Sequence, residues 1–168
     1  MYLEDGKLVS LSILDTPGVE NYRAMVSNLV KESDGIILMY DIKNEYCNSF
    51  DDIERWVDSI KEKIENYDEI PIILLGNKRD LSEKRVVTEE EGKQLAKKIN
   101  AFKFLEISLK EDSQDYLKES IIIPLAKRLC EVFPEIIKNA EEERKRKQLE
   151  EEKENRRRKS WKKFKNFK

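Results

Sequence analysis

Apolar residues along the chain fall into two patterns, and the alternation between them sets the fold class. Continuous runs stand at Ile36–Ile37–Leu38–Met39–Tyr40 and at Pro71–Ile72–Ile73–Leu74–Leu75. They are strand-sized and lack the in-out alternation of a strand with one wet face, which suits parallel strands covered on both sides. Leu8 to Leu14 and Phe102 to Ile107 also have strand character. Elsewhere the apolar positions step by three and four. Phe50, Ile53, Val57, Ile60 and Ile64 predict an amphipathic helix over Ser49 to Tyr67, with Ser49 and Asp52 as a capping pair. Ala24, Met25, Leu29 and Val30 predict a shorter helix from Tyr22 to Ser33. Thr88-Glu-Glu-Glu91 is a capping box opening a helix with Leu95, Ala96 and Ile99 on one face. A last helix is predicted from Ser113 to Ala140, bent at Pro124. Near the start, Asp5–Gly6 is a turn pair. Strands alternating with helices predict an α/β fold: a mostly parallel sheet with helices on both faces. Ligands of such sheets bind at the carboxyl ends of the strands.

Charge changes this picture at one end only. Charged residues make up 40% of the 168, well above ordinary usage, yet the net charge is −2. Residues 141–168 hold 13 Lys/Arg against 7 Asp/Glu, which leaves an acidic body of about −8 and a basic tail. Two cysteines, Cys47 and Cys130, with no paired spacing predict neither a disulfide framework nor a zinc site. With no histidine, imidazole serves neither as base nor as metal ligand. No run is long enough to span a membrane and Met1 opens no signal-peptide pattern, so a reduced cytoplasmic or nuclear setting is the expected default.

The unusual polar residues gather where the strands end. Asn77-Lys78-Arg79-Asp80 follows the Pro71–Leu75 strand as N-K-x-D. A carboxylate there can accept two hydrogen bonds, from the N1–H and N2 amine of guanine, a pairing that adenine cannot offer. Asn77 would brace the loop and the Lys78 stem would cover the base. A charged solvent turn would have the same composition. Asp15-Thr16-Pro17-Gly18 ends the Leu8–Leu14 segment as D-x-x-G. Its carboxylate suits Mg²⁺ and its glycine amide a γ-phosphate, although Asp, Pro and Gly are also the residues of a plain turn. Ser108-Leu109-Lys110 closes the last strand as S-x-K.

In this order and at these spacings, the three motifs resemble those of the Ras superfamily of small GTPases, over about Tyr2 to Phe133. Ile13-Leu-Asp-Thr-Pro-Gly-Val-Glu20 stands where that family has I-L-D-T-A-G-Q-E, and Met39-Tyr-Asp-Ile42, Ser49-Phe50 and Trp56 lean toward its Ras and Rab branches. The resemblance implies a P-loop NTPase-type fold, the Ras-like G domain, binding GTP or GDP with Mg²⁺ as a regulatory switch in signalling or vesicle traffic. Asp80, Asn77 and Lys78 would read guanine, and Ser108, Leu109 and Lys110 would brace it. Asp15 would hold Mg²⁺ through a water, and Thr16 and Gly18 would sense the ion and the γ-phosphate. Effector or regulator proteins would meet switch II, about Gly18 to Val30.

Three departures qualify these expectations. The glycines stand at 6, 18, 35, 76 and 92, and no two have the five-residue spacing of G-x-x-x-x-G-K-[ST]. Met1 falls within the family's second strand, so the first strand, the P-loop and switch I are missing from the pattern. Nucleotide and Mg²⁺ binding lose their phosphate cradle accordingly. The expectation is an N-terminally incomplete form of a switch protein, with a non-catalytic pseudo-GTPase or adaptor as the alternative. Val19 replaces the water-orienting glutamine, predicting slow hydrolysis and assigning no catalytic residue; Era-like bacterial GTPases, which share D-T-P-G with an aliphatic residue, are a further family alternative. The sequence ends at Phe167-Lys168 with no prenylation cysteine.

Two regions are therefore expected: a Ras-like domain over residues 1–138 and a charged tail over 139–168. Glu141/Lys145, Glu142/Arg146 and Glu143/Lys147 are spaced for pairing along a solvated helix. Arg156 to Lys168 holds eight basic residues with Trp161, Phe164 and Phe167 interleaved, a composition suited to an anionic membrane surface, at roughly 1 kcal/mol per basic residue. Nucleic acid is not the expected partner, though it would meet the same charge; a solvated tail with no partner has the same composition.

Overall fold

The computed structural model describes residues 3, 9–18, 26, 29–31, 33–44, 48–134, 145, 149 and 153. The elements are β1 (Ile36–Asp41), α1 (Ser49–Lys61), β2 (Ile72–Asn77), α2 (Glu89–Lys98), β3 (Lys103–Glu106), α3 (Gln114–Leu117) and α4 (Ile123–Val132). The strands form a parallel sheet in the order β1-β2-β3. Ile36 stands opposite Ile72 and Asp41 opposite Asn77, while Ile73 pairs with Lys103 and Gly76 with Glu106. The register therefore brings the three carboxyl ends level.

Burial on both faces explains the β2 run, whereas in β1 Met39 is 42% exposed and the cover of the second face expected from the sequence is incomplete. Ile72, Ile73, Leu74 and Leu75 are at most 1% exposed. Ile36, Leu38, Tyr40, Ile72 and Leu74 join Ile53, Val57 and Ile60 of α1 and Leu95 and Ala96 of α2 in one cluster. Ile73 and Leu75 pack instead with Leu125 and Leu129 of α4. The four side chains Ile72–Leu75 thus fill two cores.

Several expected elements come out differently. The helix from Ser49 stops at Lys61, and Tyr67–Glu69 is a separate 3₁₀ turn. Ile60 O accepts both the Lys63 and the Ile64 N–H, at 2.9 and 3.0 Å, which tightens the winding before the chain reverses toward β2. Ser49 does not cap this helix. Its Oγ accepts the Asp41 N–H at 3.0 Å, and Asn48, at φ 42°, takes the cap position with no side-chain bond. The Thr88–Glu91 capping box is present as expected. The predicted Ser113–Ala140 helix divides into α3, a π turn at Lys118–Ile122, and α4. Residues 114–132 stay helical without a break, and the widened π turn before Pro124 accommodates its ring and its missing N–H inside the helix. Phe133 leaves the helical region at φ −122°, ψ 70°, because a following proline, Pro134, steers its neighbour out of it.

The largest difference concerns Leu8 to Leu14. Residues 9–18 form neither strand nor helix. Val9 packs with Leu3 and Ala126, with Leu11 alongside, while Ile13 and Leu14 are 71% and 63% exposed. A strand exists only by pairing, and among the described residues none pairs with the outer edge of β1 or with this segment. Of the Tyr22–Ser33 helix, Val26, Leu29 and Val30 are helical. The Asp5–Gly6 turn, Val19, Cys47 and the Arg156–Lys168 segment lie outside the described residues.

Candidate functional site

Where β2 runs out, Asn77 is followed by a sharp change of direction at Lys78, which adopts the left-handed conformation (φ 69°). Asn77 Oδ1 accepts the Lys78 N–H at 2.8 Å and so holds that bend from its own side chain. The same oxygen accepts the Leu109 N–H at 3.2 Å, joining the loop after β2 to the loop after β3. Arg79 N–H donates to Ile107 O at 3.0 Å. Ser108, 1% exposed, donates its hydroxyl to Asp80 Oδ1 at 2.7 Å, and its Oγ accepts the Glu111 N–H at 3.1 Å. The N-K-x-D and S-x-K stretches are thus one interlocked unit.

Polar groups of this unit remain available to a ligand, Asp80 Oδ2 and the Lys110 N–H being the two that bear on base recognition. Among the described residues, Asp80 Oδ2 and the Lys110 N–H take part in no hydrogen bond. An ionised carboxylate accepts hydrogen bonds through both oxygens, so Asp80 can serve Ser108 and a ligand donor together. Lys78 Nζ reaches back to Asp41 Oδ2 at 2.7 Å, and Asp41 Oδ1 accepts the Lys43 N–H at 2.9 Å. The Lys78 side chain stays half exposed at the end of the sheet.

A second layer holds the unit from beneath. Arg85 forms a two-pronged pair with Glu106, both bonds 2.6 Å, and its Nη1 also donates to Val87 O at 3.0 Å. Hydrogen bonding to Glu106 raises the Arg85 guanidinium above its ordinary value, against the opposing effect of burial. Val86 and Val87 both donate to Ile42 O, at 3.0 and 2.9 Å, so one segment ties the ends of β1 and β3 together. Tyr40 fills the space above Gly76 and Gly92; burial raises its phenol above the usual range, and its Oη has no hydrogen-bond partner among the described residues. A Cβ on Gly92 would stand under 3 Å from both Tyr40 and Phe104.

Six of the nine residues expected at the site are brought together: Asn77, Lys78, Asp80, Ser108, Leu109 and Lys110. Asp15, Thr16 and Gly18 are not. Asp15 and Gly18 are exposed, and among the described residues no hydrogen bond or ion pair joins any of the three to either loop. No group of three or more His, Cys, Asp or Glu among those residues stands close enough to hold a metal ion. Arg79, Asp112, Arg85 and Glu106 were not foreseen. The nearest signal was a carboxylate four residues after a strand-ending serine, a frequent turn arrangement. A cavity of about 440 Å³, lined by Asp34, Lys63, Asn66 and Phe133 among others, lies toward the amino ends of the strands, away from these loops.

The model of the Ras family matches residues 2–125, a span that includes both interlocked loops and the Asp15–Gly18 stretch. With a parallel sheet carrying N-K-x-D and S-x-K side by side at its carboxyl ends, this chain belongs to the Ras family.

Proposed function

We propose that the chain is a guanine-nucleotide-binding regulatory switch protein, and that the loops of residues 77–80 and 108–110 form its base-recognition site. The observation that carries this reading is the Ser108–Asp80 hydrogen bond together with the double use of Asn77 Oδ1. They fix a carboxylate oxygen and a backbone N–H, neither hydrogen-bonded among the described residues, on adjoining loops. Asp80 accepts from guanine N1–H and the N2 amine, the Lys110 N–H donates to O6, and the Lys78 stem covers the ring. Such a site excludes adenine because a buried donor or acceptor would be left unpaired.

Bound GTP with Mg²⁺ would supply the γ-phosphate whose loss, leaving GDP, is the signal in this family. Asp15 is the residue of this chain suited to the ion, with Thr16 and Gly18 beside it; a lone exposed carboxylate is not a complete site, so the base carries the binding argued here. The second reading is an adaptor with weak nucleotide affinity, favoured by the exposure of Asp15 and Gly18 and by the absence, among the described residues, of any bond from them to the two loops. Hydrolysis is slow, since Val19 cannot orient a water. A role in signalling or traffic would run through the segment from Gly18 to Val30 and a basic tail resting on an anionic membrane.

Equilibrium binding of guanosine, adenosine and xanthosine diphosphates tests the site. The chain should prefer the guanosine form, and Asp80→Asn should transfer the preference to xanthosine, whose O2 accepts from the new amide. An unchanged preference in Asp80→Asn removes the base-recognition reading.

A further inference from the structure

The third residue of N-K-x-D is the free position of the motif, and here it is Arg79. Its Nη2 contacts Asp112 Oδ1 at 2.6 Å and its Nη1 donates to Glu106 O at 3.1 Å. Asp112 is only 10% exposed at its side chain, and its other oxygen, Oδ2, accepts the Ser108 N–H at 2.8 Å. The Asp112 N–H in turn donates to Ser108 O at 2.8 Å. One carboxylate therefore spans the two loops: it holds the backbone of Ser108 from one side and the guanidinium of the 77–80 loop from the other. Ser108 is pinned at both its N–H and its carbonyl, and the next two peptide units, at Leu109 and Lys110, start from that fixed point.

We propose that Asp112, held by Arg79, is a positioning residue for base recognition: it sets the backbone of the 108–110 loop so that the Lys110 N–H stands in register with Asp80. The proposal deepens the base-recognition reading and rests on it. The Asn77 bond to Leu109 is 3.2 Å, longer than the 2.8 Å bond from Asp112 to Ser108. Short, charge-assisted hydrogen bonds are the stronger ones, which makes Asp112 the tighter of the two constraints on that loop. The guanidinium, five donors in a rigid fork, suits the bridging role in a way a lysine ammonium does not.

The chemistry predicts an order of effects. Asp112→Ala removes both the Ser108 acceptor and the ion pair. Asp112→Asn keeps an oxygen for the Ser108 N–H and loses the charge, while Arg79→Gln loses the guanidinium and leaves the carboxylate in place. Guanosine diphosphate affinity, measured on the full chain, should fall about tenfold in Asp112→Ala and about threefold in each of the other two. The double variant Arg79→Gln/Asp112→Ala should be no worse than Asp112→Ala alone, because both changes act through one carboxylate. Thermal unfolding of each variant, and the Lys110 and Leu109 amide resonances, separate positioning from stability. The expected result is a shifted Lys110 amide and weakened guanosine binding at nearly unchanged melting temperature. Affinities unchanged in Asp112→Ala, or a loss that tracks the melting temperature with the Lys110 amide unmoved, overturn the positioning role. The xanthosine preference of Asp80→Asn reads the base site separately: if it appears while Asp112→Ala binds normally, only the present inference fails.

Discussion

Two regions of this chain carry nucleotide-binding motifs, and they are held in very different ways. The loops after β2 and β3 are fixed by bonds between residues far apart in sequence: Asn77 to Leu109, Asp80 to Ser108, Arg79 to Asp112, and Arg85 to Glu106 beneath them. The stretch of residues 9–18 carries a motif of equal length, yet it contributes no strand and presents Ile13 and Leu14 to solvent. The difference teaches that a motif becomes a site only when the framework that aims it is complete. For the loops after β2 and β3 that framework is the two adjacent strands that carry them. For Asp15 it would be a strand paired into the sheet, and among the described residues none pairs there.

Stability measurements sharpen this contrast most strongly. Leu74→Ala, at a fully buried position of β2, should lower unfolding stability by about 3 kcal/mol, whereas Leu14→Ala should change it by less than about 0.5 kcal/mol. Denaturant titration of both variants checks this, and equal losses would erase the distinction between the regions. Next in size is Arg85→Ala, which strands the Glu106 carboxylate at 8% exposure and should cost about 2 kcal/mol. Adding Glu106→Gln should recover part of that loss, since the remaining group is then neutral. Failure to recover any of it would show that the pair acts through packing rather than charge.

Smaller effects probe the supports further from the loops. Thr88→Ala removes a capping box whose Oγ accepts the Glu91 N–H at 3.2 Å, and should lower stability by about 1 kcal/mol in the same titration. Tyr67 donates to Ile99 O at 2.9 Å, and burial pushes its phenol up from its ordinary value to about 12. The folded state therefore prefers the protonated phenol. Its contribution is fully present below about pH 10 and is lost as pH rises through about 12. Tyr67→Phe should cost about 0.5 kcal/mol at neutral pH and flatten the alkaline fall in melting temperature. A fall as steep as in the parent protein would assign it to Tyr40, whose phenol is raised in the same way.

Much of the fold was legible because its signals are local. The apolar runs of β1 and β2, the three-and-four spacing of α1 and the Thr88–Glu91 box each declare themselves within a few residues. The N-K-x-D and S-x-K residues, which the proposed base site uses, were legible for the same reason, as linear motifs at strand ends. What escaped was non-local. Arg79 meets Asp112 across 33 positions and Arg85 meets Glu106 across 21, and nothing in either neighbourhood names the partner. Ser49 looked like a cap because its type fits one, but the Asp41 N–H at the end of β1 claims its hydroxyl. The Leu8–Leu14 segment has a strand's composition, but strand preference depends on neighbours that a local pattern does not supply.

The most direct test of base recognition uses a ligand with no phosphate. Backbone amide spectra of the chain titrated with guanosine and, separately, with adenosine report on both regions at once. Guanosine should shift Lys78, Leu109 and Lys110 and leave Thr16 and Gly18 in place, while adenosine shifts none of them. Equal responses to the two nucleosides, or guanosine shifts confined to residues 15–18, would contradict the account.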